Sequence, residues 1–126
     1  MFELENLIQS PTPLESWALP LFEQKKIRVF VKRDDLTHPF VMGNKWRKLK
    51  GNLLHATQSG FTGIVTFGGA YSNHIYATAA AAKYAGLKAV GIIRGEELTR
   101  ESSPTLTFAH QIGMELHFIS REDYRK

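Results

Sequence analysis

The chain has 126 residues, of which 43% are hydrophobic and 22% charged, with a formal net charge of +4. This length allows one domain with a hydrophobic core and excludes two independent domains of ordinary size. The absence of cysteine excludes disulfides, thiolate catalysis and cysteine-ligated metals. No apolar run reaches the length of a membrane span, and Glu3 and Glu5 are unlike the basic start of a signal peptide. We therefore expect a cytoplasmic protein.

The first sixty residues combine an extended segment, a strand and a helix. Proline excludes the segment Pro11–Leu14 from a helix interior. Alternating apolar residues over 27–31 predict a strand. After Gly43 the apolar period becomes helical and ends near Gly60; the residues that carry it are Trp46, Leu49, Leu53 and Ala56.

The rest of the chain alternates short apolar strands with helices. Strands are predicted over 64–67, 89–93 and 114–119, and helices over 73–85 and 104–113. Such an alternation is typical of an open parallel sheet built from successive βα units. Ser120 resembles the cap of a further helix. Because that helix has barely begun at Lys126, we expect the domain to be incomplete at its carboxyl end.

The stretch Gly43–Leu49 places Lys45 at the amino-terminal end of a helix. The helix dipole, together with Arg47 and Lys48, disfavours a positive charge there, which suits a lysine that reacts as a neutral amine. Free backbone N–H groups and nearby cations also attract phosphate. A reactive lysine beside a phosphate site suggests pyridoxal phosphate (PLP). On spacing alone, an ordinary solvated basic helix explains the stretch better.

A second polar stretch, Gly68–His74, connects a strand to an alanine-rich helix. Ligands bind at the carboxyl ends of the strands in open parallel sheets, and paired glycines let the backbone approach a ligand closely. Ser72 and Asn73 can supply side-chain hydrogen bonds. An equally ordinary function for Ser72 is to cap the helix, and Asn73 is also a common turn residue.

Other chemistries lack their motifs. The Gly68–His74 stretch is neither a dinucleotide fingerprint nor a P-loop, the five histidines have no metal-ligand spacing, and no G-x-S-x-G turn supports a serine nucleophile. We expect no metal. The adjacent Asp34 and Asp35 are expected to be solvated or paired with Lys32 and Arg33.

Three stretches in order resemble the 1-aminocyclopropane-1-carboxylate (ACC) deaminase and D-cysteine desulfhydrase family, of the tryptophan-synthase-β-like group of PLP enzymes. They are Pro11–Leu14 with Val31–Leu36, Gly43–Leu49, and Gly68–His74 with the alanine-rich helix after it. The resemblance covers essentially the whole chain but only the amino-terminal part of the family's sequence. It implies a lyase or hydrolase of amino-acid metabolism, dimeric, that deaminates or desulfhydrates a small amino acid with PLP.

The resemblance assigns roles residue by residue. Lys45 corresponds to the lysine that binds PLP covalently and moves protons at the substrate carbon, and Lys48 to a residue that contacts the cofactor phosphate. Asn73 corresponds to the asparagine that hydrogen-bonds the ring hydroxyl. Ser72 corresponds to a serine that binds the substrate carboxylate or relays protons. Asn73 and His74 are also expected near the substrate.

The resemblance also implies two domains. Residues 1–51 correspond to an incomplete piece of the large PLP domain, where the strand over 27–31 is expected to lack its partners, and residues 52–126 to the small α/β domain that covers the cofactor. The family's glycine-rich phosphate loop, the acidic partner of the pyridine nitrogen and the substrate-selecting aromatic residues come later in its sequence. We therefore expect no activity from the chain alone. Met42 replaces a glycine that many members have, so the loop before Lys45 departs from the family pattern.

Three alternatives stay open. Another member of the same PLP group, such as a β-replacing synthase, would share Lys45 and Asn73. A non-catalytic α/β module would bind a phosphorylated small molecule or a partner chain. The basic run Lys45–Lys50 suggests nucleic-acid binding, although a mildly basic protein that binds neither nucleic acid nor membrane is the simpler interpretation.

Overall fold

A computed structural model of the protein describes residues 6–126, so Glu3 and Glu5 lie outside the described residues. The elements in chain order are β1 Leu14–Trp17, α1 Pro20–Gln24, β2 Val29–Lys32, α2 Asn44–Gln58, β3 Gly63–Gly68, α3 Asn73–Tyr84, β4 Lys88–Arg94, α4 Pro104–Gln111 and β5 Met114–Ile119. Short 3-10 turns lie at Asp34–Leu36 and Asp123–Arg125.

The predicted α/β fold with a parallel sheet is confirmed. Strands β3, β4 and β5 form one sheet in that order, and both neighbouring pairs are parallel. Helices α3 and α4 connect successive strands and pack against each other, so they cover the same face of the sheet. The carboxyl ends of all three strands therefore lie at one edge, next to the amino-terminal ends of α3 and α4.

The alanine-rich helix α3 is the centre of the core. Its Ala77, Ala80 and Ala81 pack against α2, and its Ala79 and Ala82 pack against β4 and α4. Small side chains on two sides let neighbouring elements approach closely, and alanine has the highest helix propensity. The apolar face predicted for α2 is also confirmed, since Trp46, Leu49, Leu53 and Ala56 are all buried.

The segment before the βα units forms a hairpin. Strand β2 pairs with β1 in antiparallel register, with Leu14 opposite Lys32 and Trp17 opposite Val29. The expectation that the strand over 27–31 lacks partners is therefore wrong. Neither β1 nor α1 was predicted, because residues 14–17 show no alternation that marks a strand and α1 has only five residues.

The element that follows Ser120 is shorter than the predicted helix, and Ser120 is bonded to its first residue. The Oγ atom of Ser120 accepts a hydrogen bond from the backbone N–H of Asp123 at 3.0 Å, and also donates to the carboxylate of Asp123 at 2.8 Å. The residues that follow form the 3-10 turn Asp123–Arg125.

Candidate functional site

A cleft of about 400 Å³ opens where the amino-terminal ends of α2, α3 and α4 approach one another. Helix α2 contributes Asn44 and Lys45, α3 contributes Asn73, and α4 contributes Thr105. The walls are completed by Asp35, Phe40, Met42, Gly43, Tyr76 and Ala77. The volume lies in the range of small-molecule sites. The two predicted polar stretches thus meet in one cleft, although they are about thirty residues apart in sequence.

Lys45 lies in the first turn of α2 and is half-buried. The helix begins after Gly43, whose φ of 62° and ψ of −141° are a left-handed conformation that side chains disfavour. The Nζ atom of Lys45 donates a hydrogen bond to Oδ1 of Asn44 at 2.7 Å. Among residues 6–126, no carboxylate forms an ion pair with this amine.

The loop before Lys45 is held by the buried side chain of His38. Its Nδ1 accepts hydrogen bonds from the backbone N–H groups of Phe40 at 3.1 Å and Val41 at 3.2 Å. An imidazole nitrogen accepts only when it carries no proton. Burial lowers the pKa of His38 and so favours the neutral ring that this role requires.

The two adjacent aspartates have different partners. Asp35 binds Arg33, as expected, with Oδ2 at 2.8 Å from Nη2. Asp34 binds Arg47 of helix α2, with Oδ2 at 2.9 Å from Nη2, and accepts a hydrogen bond from the hydroxyl of Thr12. The hydrogen bonds from Thr12 and Arg47 lower the pKa of Asp34. The expectation that Asp34 pairs with Lys32 or Arg33 is wrong, because the chain folds Arg47 back onto it.

The Gly68–Ser72 turn is tightly packed. Ser72 is the N-cap of α3, and its Oγ accepts a hydrogen bond from the backbone N–H of Ile75 at 3.3 Å. A Cβ atom at Gly68 would lie 2.5 Å from Cγ1 of Ile75 and 2.8 Å from Oγ of Ser72. The buried Ser103, N-cap of α4, donates a hydrogen bond to the carbonyl of Ala70. The turn that carries Asn73 is thus fixed from two sides.

The predicted site residues fall into two groups. Lys45 and Asn73 line the same cleft. Ser72, His74 and Lys48 lie beside it rather than in its lining. His74 is near both lysines: its partial burial, followed by the charges of Lys45 and Lys48, lowers the pKa of its imidazole. The five predicted residues therefore occupy one region of the molecule.

Several lining residues were not predicted from the sequence. Tyr76 stacks on Phe108 with ring centroids 4.0 Å apart, and Phe40 stacks on the same ring at 5.5 Å. Phe40 and Tyr76 form an apolar wall of the cleft, and Phe108 packs against both. Tyr76 follows Asn73 by one helical turn, so helical spacing could have placed it on the same face. Phe40 and Thr105 come from distant segments, and no local pattern marks them.

Elsewhere, a depression of about 620 Å³ lies beside the edge strand β5 and contains none of the predicted site residues. It is more open than the Lys45 cleft and its floor is mostly apolar. Within residues 6–126 no three histidine, aspartate or glutamate side chains cluster as metal ligands. Nor does any helix there combine the length and the apolar character needed to cross a membrane.

Comparison with known proteins decides the relationship. No family model matches the chain. A bifunctional D-cysteine desulfhydrase/ACC deaminase of Arabidopsis thaliana, named as mitochondrial, is 34% identical over 94% of this chain and 30% of that protein. Putative ACC deaminases of Pyrococcus abyssi and Thermotoga maritima are 44% and 36% identical over 75% and 96% of this chain. The chain is homologous to one part of these proteins.

The solved structures agree. A crystal structure described as that of an ACC deaminase homologue matches 90% of this chain with a TM-score of 0.75 and 34% sequence identity. The resemblance to the ACC deaminase and D-cysteine desulfhydrase family is therefore confirmed in sequence and in fold. The chain spans about a third of the length of these relatives, between 28% and 38%.

Proposed function

We propose that this chain supplies the lysine-bearing part of a PLP-dependent deaminase or desulfhydrase that releases ammonia from a small amino acid. The observation that carries the proposal is the meeting of Lys45 and Asn73 in one cleft. Sequence identity to D-cysteine desulfhydrase and ACC deaminase supports the same chemistry. The resemblance implies that the other residues that such a reaction needs would lie in the part of the relatives that this chain does not span.

The residues of the cleft fit the proposed cofactor. A volume of about 400 Å³ admits a substituted pyridine ring. The donor set consists of a primary amine that can bind an aldehyde, an amide that can hydrogen-bond a ring hydroxyl, and the aromatic Phe40 and Tyr76 as an apolar wall. When bound, PLP supplies an electron sink that makes the bonds at the substrate carbon labile.

Lys45 would hold the cofactor and move the proton at the substrate carbon. It is suited to both tasks because its amine extends from the first turn of a helix fixed in the core and has no carboxylate partner in residues 6–126. Within the described residues, its amine donates a hydrogen bond to the side-chain oxygen of Asn44, a neutral group. Lys48, one helical turn on, is exposed and would supply a cation for the phosphate.

The amino-terminal end of α3 would orient the ring and the substrate. The backbone N–H groups of Asn73 and His74 have no hydrogen-bond partner among the described residues, because the first N–H groups of a helix have no carbonyl within the helix to bond. The next two, of Ile75 and Tyr76, bond to Ser72. Asn73 would hydrogen-bond the ring hydroxyl through its side chain. The hydroxyl proton of Ser72 is left to donate to the substrate carboxylate. His74, held neutral by its surroundings, would contact the substrate without adding charge.

The nucleic-acid alternative is weakened by the side chains of the basic run. Lys45 faces the cleft, Arg47 is paired with Asp34, and Lys50 lies over the ring of Trp46 at 5.8 Å. Their charges point to different places instead of forming the continuous basic stripe typical of nucleic-acid binding.

We further propose the domain division at residues 51/52, a homodimer and a cytoplasmic location; each stays a prediction.

The proposal is tested by adding PLP to the purified chain and recording the visible absorption spectrum before and after borohydride. Peptide mass mapping then locates the trapped adduct. We expect one predominant adduct, on Lys45, because the other lysines lie outside the cleft that Lys45 shares with Asn73. Lys45→Ala should abolish the absorption band. Lys88→Ala, which removes a lysine of strand β4 outside the cleft, should keep it.

A folded, soluble wild-type chain without a selective adduct would overturn the proposal. The non-catalytic module that binds a phosphorylated molecule or a partner chain would then be the better interpretation. Ammonia release from D-cysteine and ACC is measured on the same sample. We expect no release above free PLP, because the substrate-selecting residues of the family are not in this chain.

A further inference from the structure

We infer that Asp34 is a positioning residue that holds Lys45 in its reactive place. The inference rests on the proposed function of Lys45, and it assigns a role to an aspartate that is not itself part of the cleft lining. Asp34 lies in the 3-10 turn Asp34–Leu36, nine residues before Gly43. Its side chain and its backbone both bind the segment that carries Lys45.

The carboxylate of Asp34 contacts two other parts of the chain. Oδ2 accepts hydrogen bonds from Nε of Arg47 at 3.0 Å and from Nη2 at 2.9 Å. Oδ1 accepts from the hydroxyl of Thr12 at 2.6 Å. A forked arginine–carboxylate pair fixes direction as well as distance, so it orients the first turn of α2 relative to the amino-terminal segment.

The backbone carbonyl of Asp34 contacts the other side of Lys45. It accepts a hydrogen bond from the backbone N–H of Gly43 at 2.7 Å and another from Oγ1 of Thr37, also at 2.7 Å. Gly43 stands two residues before Lys45, and Arg47 two residues after it. One aspartate therefore bonds the chain on both sides of the lysine, at the backbone of Gly43 and at the side chain of Arg47. The left-handed Gly43 is the position where the chain would otherwise be freest to move.

The Asp34–Arg47 pair also arranges charge around the amine. Side chains two residues apart on a helix do not face each other, so the guanidinium of Arg47 is directed away from Lys45 and is neutralised by Asp34. The carboxylate of Asp34 is in turn bonded to Arg47 and does not pair with Lys45. A carboxylate bonded to this amine would compete with the cofactor for it. In the part of the chain that the structure describes, the pair thus leaves Lys45 with the neutral Asn44 as its hydrogen-bond partner.

The test compares Asp34→Asn with Glu15→Gln in the full chain. Glu15 also forms a forked pair with an arginine, Arg33, at 2.9 to 3.0 Å, but this pair joins β1 to the segment after β2 and does not contact α2. Asp34→Asn keeps the backbone carbonyl and an acceptor for Thr12, so the fold is retained; circular dichroism and thermal unfolding verify this. Arg47→Gln and the double variant Asp34→Asn/Arg47→Gln complete a double-mutant cycle.

Two readouts report on Lys45 alone. One is the rate of PLP capture at Lys45 per folded molecule. The other is trace reductive methylation with formaldehyde and borohydride, read as the labelling of Lys45 relative to Lys83 and Lys88 of the same molecule. In Asp34→Asn we expect PLP capture to fall about tenfold, since misplacing a reactive group by less than about 1 Å has effects of this order. Glu15→Gln should stay within about twofold of wild type.

The outcomes separate this inference from the proposed function. If wild type captures PLP on Lys45 and Asp34→Asn captures it equally fast with unchanged relative methylation, the positioning role is wrong and the proposed function stands. If wild type captures no PLP, the proposed function fails, and the relative methylation of Lys45 still decides whether Asp34 controls this amine. The double variant Asp34→Asn/Arg47→Gln should capture PLP no more slowly than the slower of the two single variants, because each single substitution already breaks the same ion pair. Additive losses in the double variant would show that the two residues act independently and would contradict the inference.

Discussion

His38 makes the stability of the protein depend on pH. Its neutral Nδ1 holds the backbone of Phe40 and Val41, and burial lowers its pKa below the ordinary value of 6.5. Between the lowered pKa of His38 in the folded protein and its ordinary pKa of 6.5 in the unfolded chain, the unfolded chain binds more protons than the folded one. Stability therefore rises with pH through this window, is complete above about pH 6.5, and is lost as the pH falls.

We predict that His38→Asn flattens this dependence, because an asparagine oxygen can accept the same backbone N–H groups and does not titrate. Urea unfolding at several values between about pH 5 and 8 measures the slope. Part of the slope should persist in the variant, since the pKa of His74 is lowered as well. An unchanged slope in His38→Asn would show that His38 is not the group that titrates.

At the scale of single residues, the sequence predicted the site only in part. Lys45 and Asn73 were assigned to the site through the family resemblance, because local spacing alone favoured an ordinary basic helix for Lys45 and left Asn73 open as a turn residue; the structure brings both to one cleft. Phe40 and Thr105 were not predicted, because only folding brings them to the cleft. The partner of Asp34 was also predicted wrongly: Arg33 is adjacent in sequence, but Arg47 is the arginine that reaches its carboxylate.

Among the elements, the contact between β3 and α3 depends on a glycine with no room for a side chain. Gly68→Ala would place a methyl group 2.5 Å from Ile75 and 2.8 Å from Oγ of Ser72, so the helix cap must move. We predict a loss of about 1–3 kcal/mol in the free energy of unfolding. The loss of the cap should also reduce PLP capture, because Asn73 is the first residue of the displaced helix.

Gly51→Ala is the matched control for this prediction. Gly51 lies inside α2 with an ordinary helical φ, and a methyl group there would meet no other heavy atom within 4 Å. Alanine in place of a helical glycine stabilises by roughly 0.5–1 kcal/mol. Denaturant unfolding of both variants measures the two changes. Equal effects of the two substitutions would show that crowding at Gly68 is not the cause.

The elements themselves were predictable where the pattern is local. Strand β5 was predicted with its observed bounds and α3 to within one residue of its end, because apolar periodicity, serine caps and terminal glycines all lie within the element or beside it. The hairpin was not. The four residues of β1 become a strand only because they pair with β2, and pairing between distant segments leaves no local period.

For the whole molecule, the hairpin leaves a large apolar surface exposed to solvent. Leu14 and Phe30 lie on one face of the β1–β2 sheet and are 65% and 53% exposed. Trp17, on the other face, is 53% exposed. Large apolar side chains exposed on both faces of one short hairpin are typical of a surface that contacts further structure. This exposure agrees with the proposal that the chain functions next to additional protein, as in its longer relatives, of which it spans about a third.

The exposed hairpin predicts that the isolated chain self-associates. Removing Phe30 from water at such a contact is worth about 1.5–3 kcal/mol, so Phe30→Thr should weaken association by about tenfold or more. Threonine keeps the strand propensity of the position. Phe61→Thr is the control, because Phe61 is 58% exposed but lies outside the hairpin. Sedimentation equilibrium over a concentration series measures both. A wild-type chain that stays monomeric throughout would instead favour the self-contained module, because the hairpin surface would then need no partner to remain soluble.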